Sequence, residues 1–262
     1  MKQKSIDFSK FSSIKIGPVA DVTVIEKGDK PPKDHILIGH ANNLLIGPNP
    51  PKLMMLSRDF DYIKIEDNHL IIGAATPTGK ILSFCKKFDI GGFEYVAKLP
   101  GTLGGMLAMN AGVKSYETFN TLLEVKTDKG TFIKEDIDHG YRYAKLPSIA
   151  YEATFKIEKG FNKTLAEQLL QLRKNQPQLP SAGSAFKNPT GDYAGRLIEA
   201  VGLKGERIGN MAWSEMHANF LVNLGCGTFY DAIALIELAK KKVSDKFNIN
   251  LELELKIIHY PH

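Results

Sequence analysis

The repeat of the apolar residues changes along the chain, and this change constrains the fold more than any other feature. Up to residue 160 apolar and polar residues alternate, as in VADVTVIE (19–26) and IAYEATFKIEKG (149–160), which predicts β-strands. From residue 164 onward the apolar residues recur every three or four positions, as in DAIALIELAKKKVSDKF (231–247), which predicts amphipathic helices. We therefore expect an α+β fold with a lobe boundary near residue 160.

Two hairpins are predicted in the strand-rich half. YIKIEDNHLIIGAAT (62–76) is expected to turn at Asp67-Asn68, and LLEVKTDKGTFIKE (122–135) is expected to turn at Asp128-Lys129-Gly130. The other predicted elements of this half are a strand, HILIGH (35–40), and a short amphipathic helix, KILSFCKKF (80–88).

The C-terminal third is predicted to be mainly helical. Thr164 and Glu167 have the spacing of a capping box, which predicts a helix that begins at residue 164 and runs through LLQLRKNQ up to Pro177. A further helix is expected around AGRLIEAVGL (194–203). The closing segment LELELK (251–256) alternates and predicts a strand with its leucines on one face. The opposite face, with Glu252 and Glu254, is either in contact with solvent or covered by a neighbouring lobe. If it is covered, one of these carboxylates would act as a general acid or as an electrostatic partner.

Composition places the chain among ordinary soluble globular proteins. Its 262 residues are 43% hydrophobic and 24% charged, which is enough for two or three lobes with cores of their own. No apolar run reaches the ~18 residues of a membrane span, and the N-terminus lacks the apolar region of a secretory signal. Cys85 and Cys226 stand far apart without a CxxC motif. We therefore expect a cytoplasmic protein without membrane insertion.

Several common functional motifs are missing. The net charge of +5 is scattered, which suits an anionic small molecule and does not favour nucleic-acid binding. There is no P-loop, and GCGTFY (225–230) has Tyr230 where a dinucleotide fingerprint needs its third glycine. The histidines lack metal-ligand spacing, so no metal site is expected.

Two glycine-containing segments are candidates for a phosphate-binding site made of backbone amides. KLPGTLGGMLAMNAG (98–112) is both glycine-rich and apolar, which suits amides lying against a buried ligand, or else a tight turn packed between strands. GHANNLL (39–45) follows a predicted strand, where a turn can aim several amides at one anion or can simply leave the strand. Two such cradles together would suit the two phosphates of a dinucleotide.

Polar residues in two other segments are candidates for chemistry. PSAGSAFKNP (180–189) surrounds Ser184 with small residues but lacks nucleophile-elbow spacing, so Ser184 suits a proton donor better than an acyl nucleophile. Lys187 and Asn188 suit contacts with an anionic, sugar-bearing ligand; the alternative is a helix-capping loop. Arg142, between Tyr141 and Tyr143, offers a two-pronged clamp for a carboxylate, or is an exposed arginine.

Taken in order, these segments resemble the UDP-N-acetylenolpyruvoylglucosamine reductase family over most of the chain, from about residue 35 to 256. KLPGTLGGMLAMNAG is similar to the family's I-P-G-[ST]-x-G-G-A-x-x-M-N-A-G stretch, and SAGSAFKNP is similar to its S-A-G-S-x-F-K-N-P stretch. AGRLIEAVGLKGERIGNMAWSEMHANFLVN resembles the segment that follows, and LELEL resembles the L-E-P-E-V end.

The resemblance implies a fold with a flavin-binding portion and a substrate-binding lobe. The flavin-binding portion, residues 1–160, would have two lobes of the vanillyl-alcohol-oxidase (PCMH) type, at about residues 1–50 and 51–160. Residues 161–262 would form an α+β substrate-binding domain. The short chain between the glycine segment and Arg142 resembles the compact subgroup, which lacks an extra substrate-closing loop and its tyrosine.

The resemblance also implies the ligands and their contacts. FAD would be the cofactor, NADPH the reductant and UDP-N-acetylglucosamine enolpyruvate the substrate. The residues expected to contact FAD come from both glycine-containing segments: Gly39, Ala41, Asn42, Asn43, Leu44, Pro100, Gly101, Thr102, Gly104, Gly105, Asn110 and Gly112. Those expected to bind the substrate are Tyr141, Lys187 and Asn188.

Three catalytic residues follow from the resemblance. Hydride would pass from the flavin N5 to C3 of the enol ether, with negative charge developing at C2 and the carboxylate. Arg142 would polarise that carboxylate, Glu254 would be its partner, and Ser184 would protonate C2. The product would be UDP-N-acetylmuramate, a peptidoglycan precursor.

The chain departs from the family pattern at several positions. Ala41 and Asn42 stand where the family usually has Gly and Ser, which leaves the amides there but weakens any side-chain role. Ala144 replaces a serine after the arginine, and Leu253 replaces the proline before the last glutamate. Three other functions remain alternatives: an FAD-dependent oxidase of the same fold, a non-catalytic nucleotide-sugar or flavin binder, and a basic nucleic-acid-binding module.

Overall fold

The computed structural model describes residues 1–260 and shows a mixed α+β chain. The strands are β1 (Lys2–Asp7), β2 (Val19–Ile25), β3 (Ile36–Leu37), β4 (Leu44–Ile46), β5 (Leu53–Leu56), β6 (Ile63–Glu66), β7 (His69–Gly73), β8 (Ile90–Gly91), β9 (Gly112–Val113), β10 (Tyr116–Glu117), β11 (Leu122–Thr127), β12 (Gly130–Ile133), β13 (His139–Gly140), β14 (Tyr143–Ala144), β15 (Ala150–Lys156), β16 (Glu158–Lys159), β17 (Ser181–Ser184), β18 (Arg207–Ile208), β19 (Met211–Trp213), β20 (Phe220–Asn223) and β21 (Lys256–Ile258). The α-helices are α1 (Phe8–Phe11), α2 (Thr78–Lys87), α3 (Leu103–Met109), α4 (Lys163–Gln171), α5 (Ala194–Ala200) and α6 (Phe229–Phe247).

Contacts divide the chain into two compact units. The first unit consists of Met1–Lys4, Val22–His40 and Leu53–Lys174, and the second consists of Ser5–Asp21, Ala41–Lys52 and Asn175–His262. Residues 5–21 and 41–52 thus group with the C-terminal segment. The assignment of FAD binding to residues 1–160 and of substrate binding to residues 161–262 stays a prediction.

The first unit is built on an antiparallel sheet with the strand order β12-β11-β15-β7-β6. Apolar side chains from this sheet form one buried cluster with residues of α2, α3 and α4, including Ile72, Ile81, Leu107 and Phe155. Each such side chain contributes about 1.5–3 kcal/mol when it is fully buried. The unit also contains parallel pairing of β2 and β3 with β5.

The second unit contains the antiparallel sheet β17-β20-β19-β18 together with α5 and α6. Its core includes Phe186, Trp213 and Leu235, all fully buried. Strand β21 pairs in parallel with β4, with Lys256 opposite Leu44. The C-terminal segment is therefore hydrogen-bonded to the strand that begins within the last two residues of GHANNLL.

Most predicted elements are confirmed, because their patterns act locally. The hairpin of β6 and β7 turns at Asp67 and Asn68, whose φ angles of +47° and +59° suit these two residue types. The hairpin of β11 and β12 is also confirmed. Helix α6 begins with a capping box, in which Thr228 and Asp231 each accept the other's backbone N–H at 3.1 Å.

Three predicted element boundaries are wrong. Helix α4 is capped by Asn162 and not by Thr164, because the Asn162 side chain accepts the N–H of Leu165 at 2.9 Å. Helix α4 ends at Gln171, before the predicted limit at Pro177. The segment LELELK is not a strand over its length, and regular pairing begins only at Lys256.

Among residues 1–260, no helix is long and apolar enough to cross a lipid bilayer.

Candidate functional site

The glycine segment contains α3, a helix that the sequence analysis does not predict. Gly101, with φ of +123°, precedes Thr102, after which the helix begins. The N–H groups of Leu103 and Gly104 donate to the carbonyls of Thr76 at 3.0 Å and Ala74 at 2.8 Å. Two amides of the predicted cradle are therefore already bound by the protein itself.

Other amides of this segment remain available. Those of Gly101, Thr102 and Gly105 donate to no acceptor within the described part of the chain. Gly105 is exposed, and a Cβ added to it would meet nothing within 4 Å. A Cβ on Gly104 would lie 3.2 Å from the Ala74 carbonyl oxygen, so Gly104 allows the helix to approach that strand end. The open side of the first turn of α3 is therefore at Gly105.

Gly39 brings the second glycine-containing segment against the first. A Cβ on Gly39 would lie only 3.2 Å from Oγ1 of Thr102. Gly39 and Thr102 belong to the same compact unit, and the small residue allows the two backbones to come close. The two segments that the sequence analysis singles out for phosphate binding thus adjoin at this point.

The rest of the GHANNLL turn uses its carbonyl groups within the second unit. The carbonyls of Ala41 and Asn42 accept from the backbone N–H of Ser13 at 3.2 Å and its hydroxyl at 3.1 Å. Because each peptide N–H points away from the carbonyl of the same peptide, the N–H groups of Asn42 and Asn43 face away from Ser13. Ala41 adopts a φ of +51°, which turns the chain into Leu44 of β4.

Asn110 and Gly112 have structural roles at the end of α3. Asn110 caps the helix with a φ of +40°, and its buried side chain accepts the N–H of Phe119 at 3.0 Å and donates to Glu117 and to the Gly140 carbonyl. A Cβ on Gly112 would lie 2.2 Å from the carbonyl oxygen of Tyr116. Contacts within the protein therefore account for both residues, and their contact with FAD stays a prediction.

Arg142 lies in the first unit, in the turn between β13 and β14. Its φ is +61°, its Nη2 donates to the Gly112 carbonyl at 2.8 Å, and its Nη1 lies 3.9 Å from a carboxylate oxygen of Glu117. The guanidinium stacks 5.0 Å from the ring centroid of Tyr141, which is exposed. Burial and the positive charge of Arg142 both lower the pKa of Arg173. Arg173 therefore adds a second positive charge near Arg142, and the Glu117 carboxylate offsets part of it.

Ser184 lies in the second unit, at the end of β17, and a β-bulge sets its direction. Ser181 pairs with Val222 and Ser184 with Phe220, so β17 has one residue more than its partner over this stretch. Gly183 occupies the bulge with a φ of +81°. A bulge re-aims the side chain that follows it, and Ser184 is half-buried there.

Backbone hydrogen bonds tie the Ser184 segment to the segment of Glu254. The N–H groups of Glu254 and Leu255 both donate to the carbonyl of Ala185, at 2.9 and 3.2 Å. Sharing one acceptor bends the chain at these residues, which explains why LELELK is not a regular strand. Ser184 and Glu254 are thus held on adjoining segments of one unit.

The same unit contains three more predicted site residues. The Lys187 ammonium pairs with Glu252 at 2.5 Å; the lysine side chain is 14% exposed and the glutamate side chain 72%. The Asn43 side chain donates to the Glu254 carbonyl at 2.9 Å. The Asn188 side chain accepts the first helical N–H of α5, from Ala194, at 3.1 Å. The helix-capping alternative is thus observed at Asn188, and its contact with substrate stays a prediction.

Sequence reasoning did not single out two residues beside this site. Asn219 is 3% exposed, and its side chain binds the backbone of Phe186. His217 packs against the ring of Phe220, and its Nδ1 accepts the N–H of Asn219 at 3.3 Å. The available pattern was the pair Asn219 and Asn223 in the otherwise apolar stretch ANFLVN, since buried amides need partners.

Burial of His217 predicts a loss of stability in acid. Burial is the main cause that lowers the pKa of His217, and the charge of Lys204 acts in the same direction. The unfolded chain therefore binds the proton more readily, so this stabilisation is complete above the unfolded pKa of about 6.5 and falls as the pH decreases below it. We expect His217→Gln to reduce the difference in the free energy of unfolding, measured with urea, between about pH 7.5 and about pH 5.5. An unchanged difference in the variant would contradict the prediction.

Comparison with known proteins agrees with the resemblance. The family described as UDP-N-acetylenolpyruvoylglucosamine reductase, C-terminal domain, matches residues 175–258. The UDP-N-acetylenolpyruvoylglucosamine reductase of Helicobacter hepaticus is 44% identical to this chain over 98% of the chain and 100% of the relative. The same enzyme of Campylobacter jejuni is 46% identical, over 97% and 99%.

A solved structure extends this similarity to the fold. The crystal structure of UDP-N-acetylenolpyruvylglucosamine reductase from Thermus caldophilus matches with a TM-score of 0.83 and 27% identity, over 98% of this chain and 99% of that one. The sequence and fold similarities both extend over nearly the whole chain. The chain belongs to the UDP-N-acetylenolpyruvoylglucosamine reductase family.

Proposed function

We propose that this protein reduces UDP-N-acetylglucosamine enolpyruvate to UDP-N-acetylmuramate, with FAD as cofactor and NADPH as reductant, in the cytoplasm. The observation that carries the proposal is the backbone link between Ala185 and Glu254. This link holds the proposed proton donor, Ser184, beside Glu254, the proposed partner of Arg142. The names of relatives that are 44% and 46% identical support the same reaction.

The residues present fit an FAD pyrophosphate. A pyrophosphate needs several converging N–H donors and close approach to the backbone. The amides of Gly101, Thr102 and Gly105 donate to no acceptor among residues 1–260, the space beside Gly105 allows close approach to the backbone, and Gly39 adjoins this segment at Thr102. Ala41, Asn42, Asn43, Leu44 and Pro100 complete the proposed contacts. We assign this cradle to a flavin-binding portion of the vanillyl-alcohol-oxidase (PCMH) type. When bound, FAD would supply the hydride that NADPH donates.

The chain's own residues then stabilise the charge that develops on the substrate. Arg142 presents a planar fork of donors to the substrate carboxylate, and its stacking on Tyr141 limits the orientations of that fork. Glu254 acts as the partner of Arg142. Lys187 and Asn188 bind the UDP-sugar. The Ser184 hydroxyl gives its proton to C2. A serine hydroxyl is a weak acid, but it suffices for a strongly basic carbon when the two are held in contact.

The Gly105→Ala variant is expected to change the stability of the protein and its affinity for FAD in opposite directions. Gly105→Ala is expected to stabilise the protein without FAD by about 1 kcal/mol, because alanine favours a helix and no atom obstructs its Cβ. The same methyl group is expected to weaken FAD binding, because it would stand where the pyrophosphate approaches. Thermal unfolding of the FAD-free protein and titration with FAD measure the two effects.

Gly79 provides the matched control. It lies in α2, and a Cβ there would also meet nothing within 4 Å, but it is not among the proposed cofactor contacts. Gly79→Ala should stabilise the protein and leave the affinity for FAD unchanged. Unchanged FAD affinity in Gly105→Ala would place the pyrophosphate elsewhere.

Anaerobic stopped-flow spectroscopy tests the whole reaction. The purified protein should carry yellow FAD, lose its colour with NADPH and regain it when the enolpyruvyl sugar is added. Bound flavin that NADPH does not reduce would indicate a non-catalytic binder. Flavin that is reduced by an alcohol or a sugar would indicate an oxidase.

A further inference from the structure

Asn219 binds the backbone of the segment that carries Ser184 with both ends of its side chain. Its Oδ1 accepts the N–H of Phe186 at 3.0 Å, and its Nδ2 donates to the carbonyl of the same residue at 2.8 Å. The Asn219 carbonyl also accepts the N–H of Ala185 at 2.8 Å. One residue, 3% exposed, thus makes three hydrogen bonds to the two residues that follow Ser184.

These bonds replace a strand pairing that the bulge interrupts. The last regular pair of β17 and β20 is Ser184 with Phe220, and Gly183 just before it adopts a φ of +81°. Beyond Ser184 the chain no longer follows the ladder. The Asn219 amide, which presents an acceptor and a donor like a peptide group, supplies both bonds that Phe186 would make to a neighbouring strand.

The other side of the segment is held by the C-terminal chain. The Ala185 carbonyl accepts the N–H groups of Glu254 and Leu255, and the N–H of Lys187 donates to the Glu252 carbonyl at 2.8 Å. The Ser184 segment therefore lies between Asn219 and residues 252–255, all within the second unit. Loss of Asn219 would free Phe186 on one side and let both Ser184 and the chain at Glu254 shift.

We propose that Asn219 is the positioning residue for the proton-transfer step: it clamps the backbone of Ala185 and Phe186 and so holds the Ser184 hydroxyl in place. The role of Ser184 in this inference rests on the proposed function. The clamp itself is a property of the second unit and is measured without substrate.

Asn223, the last residue of β20, offers a matched control for Asn219, which directly precedes that strand. It is also 3% exposed, and its side chain also binds backbone groups: it donates to the Ile14 carbonyl at 3.0 Å and accepts from Gly225 and Gly227 at 2.9 Å each. None of these partners belongs to the Ser184 segment. Asn219→Ala and Asn223→Ala thus each remove a buried amide that binds backbone groups, and only Asn219 binds the segment of the proposed site.

The clamp is tested by hydrogen exchange and by fluorescence. In Asn219→Ala the amide of Phe186 should exchange about tenfold faster, because it loses its acceptor, the Asn219 Oδ1, whereas the amide of Ala185 keeps the backbone carbonyl of residue 219. Trp213, the single tryptophan, lies 5.8 Å from Phe186 between ring centroids, so its emission should change as well. Neither effect is expected in Asn223→Ala. Unchanged exchange at Phe186 in Asn219→Ala would overturn the clamp.

The positioning role is tested by the two half-reactions, each expressed per bound flavin. Asn219→Ala should slow reoxidation by the enolpyruvyl sugar about 100-fold, with a larger solvent deuterium isotope effect, because a misplaced donor limits the step. Reduction by NADPH should stay unchanged, and Asn223→Ala should leave both half-reactions unchanged. Equal slowing of both half-reactions, or an unchanged isotope effect, would overturn the positioning role.

Two further cases need their own measurements: an Asn219→Ala protein that does not fold, and a wild-type protein that lacks the proposed activity. If Asn219→Ala does not fold, Asn219→Ser carries the same measurements, because serine keeps a polar group but is shorter and lacks the separate donor and acceptor atoms with which Asn219 binds Phe186. Intermediate exchange and an intermediate rate in Asn219→Ser support the inference, and wild-type values contradict it. A wild-type protein that does not reduce the enolpyruvyl sugar would refute the proposed function and with it the positioning role, while exchange and emission would still decide the clamp.

Discussion

Ser184→Ala is expected to slow proton delivery to the substrate by about 10²–10⁴-fold, the range that a positioned acid contributes. Reduction of the flavin by NADPH should stay as fast as in the wild type, because that half-reaction needs no proton at C2. Only a hydroxyl is removed, while the backbone pairing of Ser184 with Phe220 is kept. Stopped-flow absorbance resolves the two half-reactions.

Ser181→Ala is the control for this variant. Ser181 lies in the same strand and pairs with Val222, and it is not among the proposed site residues. Ser181→Ala should retain both half-reactions. Equal slowing of both steps in Ser184→Ala would refute Ser184 as the proton donor.

Glu254→Gln is expected to lower turnover by about 10²-fold, because glutamine has the size of glutamate but can neither carry the charge nor transfer a proton. The N–H of Glu254 stays bound to the Ala185 carbonyl, so the variant keeps the local backbone. Steady-state kinetics should show the loss mainly in kcat, since the interaction acts on charge that develops during the reaction.

Glu252→Gln is the matched comparison, two residues away in the same segment. The Glu252 side chain is 72% exposed and pairs with Lys187, and an exposed pair contributes only about 0–1 kcal/mol. We therefore expect a small change in KM and little change in kcat. A larger loss of kcat in Glu252→Gln than in Glu254→Gln would move the assignment to Glu252.

The strand hairpins and α6 could be predicted from the sequence because their determinants lie within a few residues. Alternation, the turn at Asp67-Asn68 and the capping box at Thr228 each act locally. Helix α3 could not be predicted, because glycines oppose a short helix. Tertiary contacts stabilise it: Leu103, Met106 and Leu107 are buried, and the N–H of Leu103 donates to Thr76.

In the candidate site, too, some residues could be predicted from the sequence, whereas the contacts between them could not. The motifs in SAGSAFKNP and LELEL indicated Ser184 and Glu254 individually, and the comparisons confirm the family. The Ala185 carbonyl, which joins the two segments, is a backbone group, and no residue pattern marks it. Asn188 and Asn110 matched the family motif, yet each side chain is already hydrogen-bonded within the protein.

By itself, the sequence determined the family, the α+β class and most of the secondary structure, because periodicity, turn residues and motif order belong to single segments. Only the tertiary structure decided that the Leu103 and Gly104 amides bind Thr76 and Ala74, that LELELK bends at the Ala185 carbonyl, and that Asn219 holds Phe186. Each of these depends on a backbone group from a distant part of the chain. Backbone groups are alike at every position, so only the fold determines which of them meet.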